Sequence, residues 1–368
     1  MTTLAHPPRT RTHISVKPQA TIYASKWWLW ALLWLGLACL FFIRIGIGSV
    51  NIPLEDILRV LAGDVASKAS WTTIVKDVRL PRAITALLAG ASLGVSGLML
   101  QTFFRNSLAG ADVLGISSGA SLGVAVVVLS TSTIGGTLIA GAGVVSDMSM
   151  AGAALAGASF TFLIIMLIAR GVQNQTTLLI LGMMVAALTS SLVSLLMYFA
   201  IPDQINAFVR WTFGSFDGVK WSELTVFAPL VLLGLVLSIF CIKPLNALLL
   251  GEAYARSMGV RIGRVRLGVI SITALLVGSI TAFCGPIGFI GIAVPHLCRF
   301  AFRTSDHRIL IPATMGVGGI VALVAALIAQ VPNNQIVLPL NPIMALLGAP
   351  VVIWVIWRSR GGGRVFGG

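Results

Sequence analysis

Residues 83–104 read AITALLAGASLGVSGLMLQTFF, a stretch of 22 residues without a charged side chain that lies between Arg82 and Arg105. A helix that crosses the hydrocarbon core of a membrane needs about 20 mostly apolar residues. The stretch therefore predicts a membrane-spanning helix at about 82–104, and similar runs occur on both sides of it.

The whole chain has the composition of a protein with many such helices. Of its 368 residues, 57% are hydrophobic and only 10% are charged, whereas soluble domains have roughly 25% charged residues. This excludes a disordered chain, a soluble globular enzyme and a disulfide-stapled secreted domain. We predict an all-α polytopic membrane protein with ten transmembrane helices. They lie at about 27–47, 82–104, 113–130, 149–169, 177–200, 222–242, 267–284, 286–300, 308–330 and 341–357.

The net charge of +14 lies on one side of these predicted spans. With a cytoplasmic N-terminus, the cytoplasmic segments hold 17 Lys and Arg against 3 acidic residues, and the opposite segments hold 8 of each. Cytoplasmic loops of membrane proteins retain Lys and Arg. We therefore predict a cytoplasmic tail of residues 1–26, one transmembrane domain of residues 27–357 and a cytoplasmic tail of residues 358–368. Nucleic-acid binding is not expected, because no basic stripe with interleaved aromatic residues is present.

Motifs for catalysis are missing from the sequence. It contains no P-loop and no H-E-x-x-H, and its four His and four Cys residues lack the spacing of metal ligands. The G-x-S-x-G pattern at 115–119 begins a predicted span, whereas a nucleophile elbow follows a strand. We therefore predict no catalytic residue, no metal and no cofactor bound by this chain. Scarce buried acids count against an ion-coupled secondary transporter, although Asp112 and Asp306 near span ends keep that class open.

Two segments on the predicted outer side contain polar or charged residues in a recognisable pattern. In residues 54–61, Leu54, Ile57 and Leu58 share one helical face with Leu61, which predicts a short amphipathic surface helix. Residues 78–82, VRLPR, place two arginines where the second span begins. Two interpretations are open for them: interfacial anchors of a helix start, or a basic docking patch for an acidic partner protein.

The cytoplasmic loop 244–266 is both basic and apolar. It predicts two short amphipathic helices that expose Leu248, Leu249, Tyr254 and Met258. A loop retained only by its charge would need no apolar residues. The pattern suits contact with lipid or with a groove in a cytosolic partner, and we favour the partner.

Glycine and proline interrupt the apolar runs at two places of interest. Residues 285–296, GPIGFIGIAVPH, predict a broken helix at membrane depth, a feature more typical of transport pathways than of enzymes. Gly90 and Gly94 form one GxxxG pattern, and Gly115, Gly119 and Gly123 form two in tandem. Small residues at this spacing predict tight packing between helix backbones.

Taken in this order, these segments resemble the FecCD-type permease family of bacterial ABC importers, whose members serve iron-siderophore, haem and vitamin B12 uptake. The similarity extends from about residue 40 to residue 360, although Ser107 stands where the family has proline. It rests on RLPR at 79–82, LLAGASLGVSG at 87–97, FRNSLA at 104–109, LGISSGA at 114–120, GEAYARSMGV at 251–260, CGPIGFIGIAVPH at 284–296 and LGAP at 347–350.

The resemblance implies a type II ABC importer permease fold in the bacterial cytoplasmic membrane. It implies a second permease subunit, identical or paralogous, two cytosolic ABC ATPases that bind the ATP, and a periplasmic or lipid-anchored substrate-binding protein. We expect iron(III)-siderophore import, with haem, vitamin B12 or another metal chelate as alternative cargo.

The resemblance also implies roles for particular residues. The R-L-P-R string assigns Arg79 and Arg82 to binding-protein docking. The inner gate includes Asn106 and Leu108, and the polar turn at 171–177 offers Gln175 and Thr176 as a second gate element. Coupling to the ATPase is assigned to the loop around Glu252, namely Leu249, Gly251, Glu252, Ala253, Arg256 and Gly259.

Overall fold

The computed structural model describes residues 27–48, 50–129, 147–172, 174–330 and 337–361. Within these ranges seven helices are long and apolar enough to cross a membrane, and three shorter apolar helices accompany them. Together they coincide with the ten predicted spans. The predicted N-terminal tail 1–26 and residues 362–368 of the C-terminal tail lie outside the described residues.

The described residues form a series of α-helices. In chain order they are α1 Trp27–Gly46, α2 Leu54–Leu61, α3 Ala69–Thr73, α4 Leu80–Phe103, α5 Ile116–Leu129, α6 Asp147–Gly171, α7 Gln175–Phe199, α8 Pro202–Thr212, α9 Trp221–Phe240, α10 Ile242–Leu249, α11 Glu252–Ser257, α12 Ile262–Cys284, α13 Ile290–Phe302, α14 His307–Ala329 and α15 Leu340–Gly361. A π-helical segment, Ile74–Arg79, joins α3 to α4, and a 3₁₀ turn, Ala111–Leu114, precedes α5.

Helix α4 is the most buried of the long spans because its glycines admit neighbouring helices. A Cβ atom on Gly90 would lie 2.1 Å from the carbonyl oxygen of Gly318 in α14. One on Gly97 would lie 1.8 Å from the carbonyl oxygen of Gly291 in α13. Backbones this close gain van der Waals contact, which must replace the hydrophobic driving force that lipid removes. The tight packing predicted from glycine spacing is confirmed.

The predicted break between α12 and α13 is also confirmed. Helix α12 ends at Cys284, and Gly285 takes φ +76°, a left-handed conformation that suits glycine. Asn341 satisfies the irregular backbone: its Nδ2 donates to the carbonyl oxygens of Thr212 (3.0 Å) and Pro286 (2.7 Å), and its Oδ1 accepts from the Gly288 amide (3.1 Å). Irregular backbone persists at membrane depth only where protein or water supplies such partners.

The surface helix α2 forms as predicted, but its buried face differs from the predicted one. Ile57 is buried, whereas Leu54 and Leu58 are exposed. The reason is a polar contact next to Ile57: the Oδ1 atom of Asp56 accepts hydrogen bonds from the amide (2.8 Å) and hydroxyl (2.7 Å) of Ser67. These bonds turn Asp56 inward with Ile57 and hold the pKa of the Asp56 carboxyl below its usual range.

Two helical elements are absent from the sequence-based prediction. One is α8, which follows the fifth span, and the other is the segment 69–79, which extends α4 beyond its predicted start. Both are too polar to be recognised as membrane spans. Their positions depend on the bundle against which they pack.

Candidate functional site

Arg79, predicted to dock a partner, lies inside the protein at the C-terminal end of α1. Only 4% of its surface is exposed. Its guanidinium donates to the carbonyl oxygens of Ile45 (2.8 Å), Gly46 (2.6 Å) and Val50. Helix α1 ends at Gly46, so the cation satisfies carbonyls that a helix end leaves unpaired. This placement does not fit docking by Arg79, because its guanidinium is already enclosed by this chain.

Arg82 lies one turn further along and keeps 29% of its side chain exposed. Its Nε atom is 3.6 Å from the Oδ1 atom of Asp217. That same oxygen accepts a 2.9 Å hydrogen bond from the buried Arg44, which also donates to Gln330 at 2.7 Å. Asp217 therefore lies closer to Arg44 than to Arg82, and Arg82 is the more exposed arginine of the predicted pair.

The predicted gate turn lies between α4 and α5. The Oδ1 atom of Asn106 accepts from the Leu108 amide at 2.9 Å and closes the turn, and Leu108 is exposed. Ser107 stands where the family has proline. Its carbonyl oxygen accepts a hydrogen bond from the Nε2 atom of His296 at 2.8 Å. His296 belongs to the broken segment, so the structure brings the gate turn and that segment together.

The second predicted gate element begins α7 with the same local bond. The Oδ1 atom of Asn174 accepts from the Thr176 amide at 2.8 Å, which leaves Thr176 exposed and Gln175 half-buried. Further along α7, a Cβ atom on Gly182 would lie 2.6 Å from the carbonyl oxygen of Val113. Helix α7 therefore packs directly on the 3₁₀ turn that follows the first gate turn.

The predicted coupling segment is a separate short helix, α11, between two glycines. Gly251 and Gly259 take φ +104° and +82°, which an L side chain rarely adopts. Glu252 and Arg256 form an ion pair at 3.2 Å across one turn of the helix. Ala253 is exposed beside them. The two glycines bound α11 as a separate short helix, whose Ala255 packs into the core.

The apolar surface of this segment differs from the predicted one. Leu248 is buried and Leu249 is half-buried, because both belong to α10, which packs against the core. Tyr254 and Met258 are exposed as predicted, and Leu250 is exposed as well. The exposed apolar residues therefore lie on and around α11, and the prediction is wrong only for Leu248 and Leu249.

A chain of side-chain hydrogen bonds connects this segment with the gate turn. Asn246 in α10 accepts at Oδ1 from the amide (2.9 Å) and Nδ1 (2.7 Å) of His307, and its Nδ2 donates to Asp306 at 2.6 Å. The Nε2 atom of His307 lies 2.8 Å from the hydroxyl of Thr102. Thr102 is in the last turn of α4, immediately before the gate turn. Three separate helices thus meet through one imidazole.

Comparison with known proteins identifies this arrangement. The sequence model of the FecCD transport family matches residues 36–358, which is most of the chain. The chain belongs to this family.

Two named permease proteins are similar to this chain along most of their length. The vitamin B12 import system permease protein BtuC of Klebsiella pneumoniae is 35% identical over 80% of this chain and 86% of its own. The hemin transport system permease protein HmuU of Yersinia pestis is 32% identical over 89% and 96%. A solved metal-chelate type ABC transporter in an inward-facing conformation has a TM-score of 0.76 at 27% identity and covers 92% of this chain and 99% of that one. The fold is thus that of a type II importer permease.

The sequence does not predict the hydrogen bonds that join Thr102, Asn246 and His307. His307 is one of four histidines without the spacing of metal ligands, and Asn246 lies within the loop 244–266. The one available signal is that Thr102, Asn246 and His307 are uncharged polar residues at the ends of apolar runs. Such groups need partners when they are buried, but the sequence does not say which.

Proposed function

We propose that this chain is the transmembrane permease subunit of an ATP-driven importer in the bacterial cytoplasmic membrane, with a ferric siderophore as cargo. The observation that carries the proposal is the surface of α11. It combines exposed apolar side chains, Leu250, Tyr254 and Met258, with the Glu252–Arg256 ion pair. A short amphipathic helix of this kind suits a groove in a cytosolic partner.

In the proposed mechanism, two cytosolic ATPases close on ATP and push α11. Helix α10 precedes α11 with only Leu250 and Gly251 between them. Displacement of α10 moves Asn246, and through His307 it moves the end of α4 that leads into Asn106 and Leu108. A small shift of a packed helix can switch a pathway between outward-open and inward-open arrangements. The chain itself performs no chemistry in this scheme.

The outer face supports docking of a periplasmic or lipid-anchored binding protein. Arg82 is the residue assigned to that contact, since it is partly exposed and shares Asp217 with Arg44. An acidic partner surface would add charge-assisted hydrogen bonds there. The transport pathway is formed with a second permease subunit, identical or paralogous, as membership of this family suggests.

Haem or vitamin B12 is the second candidate for the cargo. The names of the similar proteins from Yersinia pestis and Klebsiella pneumoniae favour it. All three cargoes are bulky chelates, and a passage for them must bind weakly enough to release them. Uptake by proteoliposomes that contain the complete transporter, measured in parallel with ferric siderophore, haemin and cobalamin, separates the candidates. Uptake driven by an ion gradient without ATP would contradict the proposal as a whole.

The coupling role is tested by Glu252→Lys. We expect normal membrane insertion and loss of ATP-driven uptake, because the reversed charge enters the ATPase groove without a partner. Glu55→Lys is the matched control, since Glu55 also forms an i,i+4 ion pair, with Arg59, but on α2 at the predicted outer face. Wild-type uptake by Glu252→Lys at equal expression would contradict the role of α11.

A further inference from the structure

A basic pocket lies at the ends of α6 and α12 on the predicted cytoplasmic side. It has a volume of about 710 Å³. Five arginines line it: Arg170, Arg256, Arg261, Arg264 and Arg266. Among the described residues, its lining includes no Asp or Glu.

One of the five arginines forms hydrogen bonds with the backbone of the pocket, and three others are exposed to solvent. Arg266 is buried and donates to the carbonyl oxygens of Ala169 (3.2 Å) and Val172, which fastens the first turns of α12 to the end of α6. Arg170, Arg261 and Arg264 are exposed and form no ion pair within the described ranges. Arg256 is paired with Glu252, but no carboxylate of the described residues lies among the other guanidinium groups of the pocket. Like charges gathered in one pocket repel one another, and an anion between them relieves that repulsion.

The chemistry of the pocket favours phosphate. The guanidinium fork of arginine matches the oxygens of a phosphate group in a bidentate manner. Arg170 is in the last turn of α6, and Arg261 precedes the first residue of α12. Both positions are at the ends of membrane spans, which is the level of lipid headgroups.

A second cavity lies further along the same two helices, α6 and α12, and no described residue lines both cavities. It has a volume of about 640 Å³ and lies between α6 and α12, with Leu230 of α9 at its side. Its walls are mostly apolar and include Leu155 and Phe162 of α6 and Leu275 of α12. Ser271, at its cytoplasmic end, follows Arg266 by five residues, which is about 8 Å along a helix. An apolar groove with a basic pocket at its aqueous end has the polarity of a phospholipid.

We propose that the seam between α6 and α12 binds an anionic phospholipid, with its phosphate among Arg170, Arg261 and Arg264 and an acyl chain in the apolar groove. Basic pockets between spans on the cytoplasmic side suit anionic headgroups. Arg256 of α11 also lines the pocket, so the lipid would lie against the coupling segment. The groove decides between ligands, because neither free phosphate nor an acidic protein surface would use it.

The test measures thermal unfolding of the detergent-solubilised permease with added lipid. The probes are dioleoyl phosphatidylglycerol, dioleoyl phosphatidylcholine and inorganic phosphate. We expect phosphatidylglycerol to raise the melting temperature more than either of the others. The triple variant R170Q/R261Q/R264Q is expected to bind phosphatidylglycerol at least about tenfold more weakly, because three charge-assisted contacts are removed. Ala274→Phe, which fills the groove, is expected to weaken lipid binding and leave any response to phosphate unchanged.

The control is R303Q/R308Q, which removes two exposed cytoplasmic arginines away from the seam and should respond like wild type. A wild-type response of the triple variant to phosphatidylglycerol would overturn the proposal. Stabilisation of the wild type by inorganic phosphate as strong as that by phosphatidylglycerol would also overturn it. The same holds if the triple variant still binds phosphatidylglycerol like wild type and loses only the copurification of an ATPase. If the triple variant fails to fold, photoactivatable phosphatidylglycerol on the wild-type protein must label peptides of α6 and α12, and labelling confined to other helices would equally refute the site.

Discussion

Replacement of Gly97 by alanine should separate the two helices that hold the gate turn. Gly97 of α4 faces Gly291 of α13 so closely that an added Cβ atom would lie 1.8 Å from the Gly291 carbonyl oxygen. Ordinary van der Waals contact begins at 3.4 Å, and the obstacle is backbone rather than a flexible side chain. The methyl group is therefore accommodated only if α4 and α13 move apart.

The cost of this movement follows from the contacts around it. Overpacking of a tight interior costs about 1–3 kcal/mol. The amide of Gln101, one turn further along α4, donates to the carbonyl oxygens of Gly291 (3.4 Å) and Ile292 (3.3 Å). These bonds are already long, and a helix separation would break them at about 1 kcal/mol each. We expect Gly97→Ala to destabilise the protein by about 3–5 kcal/mol.

The assay compares thermal unfolding of purified variants by tryptophan fluorescence. Gly152→Ala is the control, because a Cβ atom on Gly152 in α6 meets nothing within 4 Å and alanine favours a helix by roughly 1 kcal/mol over glycine. Gly97→Ala should melt several degrees below wild type, and Gly152→Ala should melt at or above it. Equal melting of the two variants would refute the close-packing argument.

Three further predictions concern coupling, pH and docking. Asn246→Ala should reduce ATP-driven uptake while insertion stays normal, because it removes the group that joins α10 to His307; unchanged transport would contradict the proposed connection. Asp56→Asn should lower stability at neutral pH, and the difference from wild type should vanish as the pH falls through the lowered pKa of Asp56, since Ser67 stabilises the charged carboxylate. A stability difference that persists in acid would point to another cause. Arg82→Glu should weaken the affinity of the permease in nanodiscs for its binding protein, and the wild-type affinity should fall as the salt concentration rises. An affinity that changes neither with the substitution nor with the salt concentration would refute docking at Arg82.

The coupling segment illustrates how far sequence reasoning reached. The sequence predicts short amphipathic helices within the loop 244–266, because a helical period and its flanking glycines involve residues that are close together in the chain. The face it presents was predicted wrongly for Leu248, which is buried. A helical period shows which side chains share a face, but residues that are distant in the chain form the surface on which that face is buried.

The sequence by itself determined the ten spans, the break at 285–296 and the close helix packing. These depend on the apolarity, the glycines and the prolines of single segments, measured against a bilayer of constant thickness. Tertiary structure alone decided the partners of the polar groups. Arg44 and Asp217 are 173 residues apart in the chain, and Arg79 has the same flanking sequence whether it faces a partner or closes α1. A charge at a membrane edge is a local property, but the group that neutralises it depends on which distant helices pack beside it.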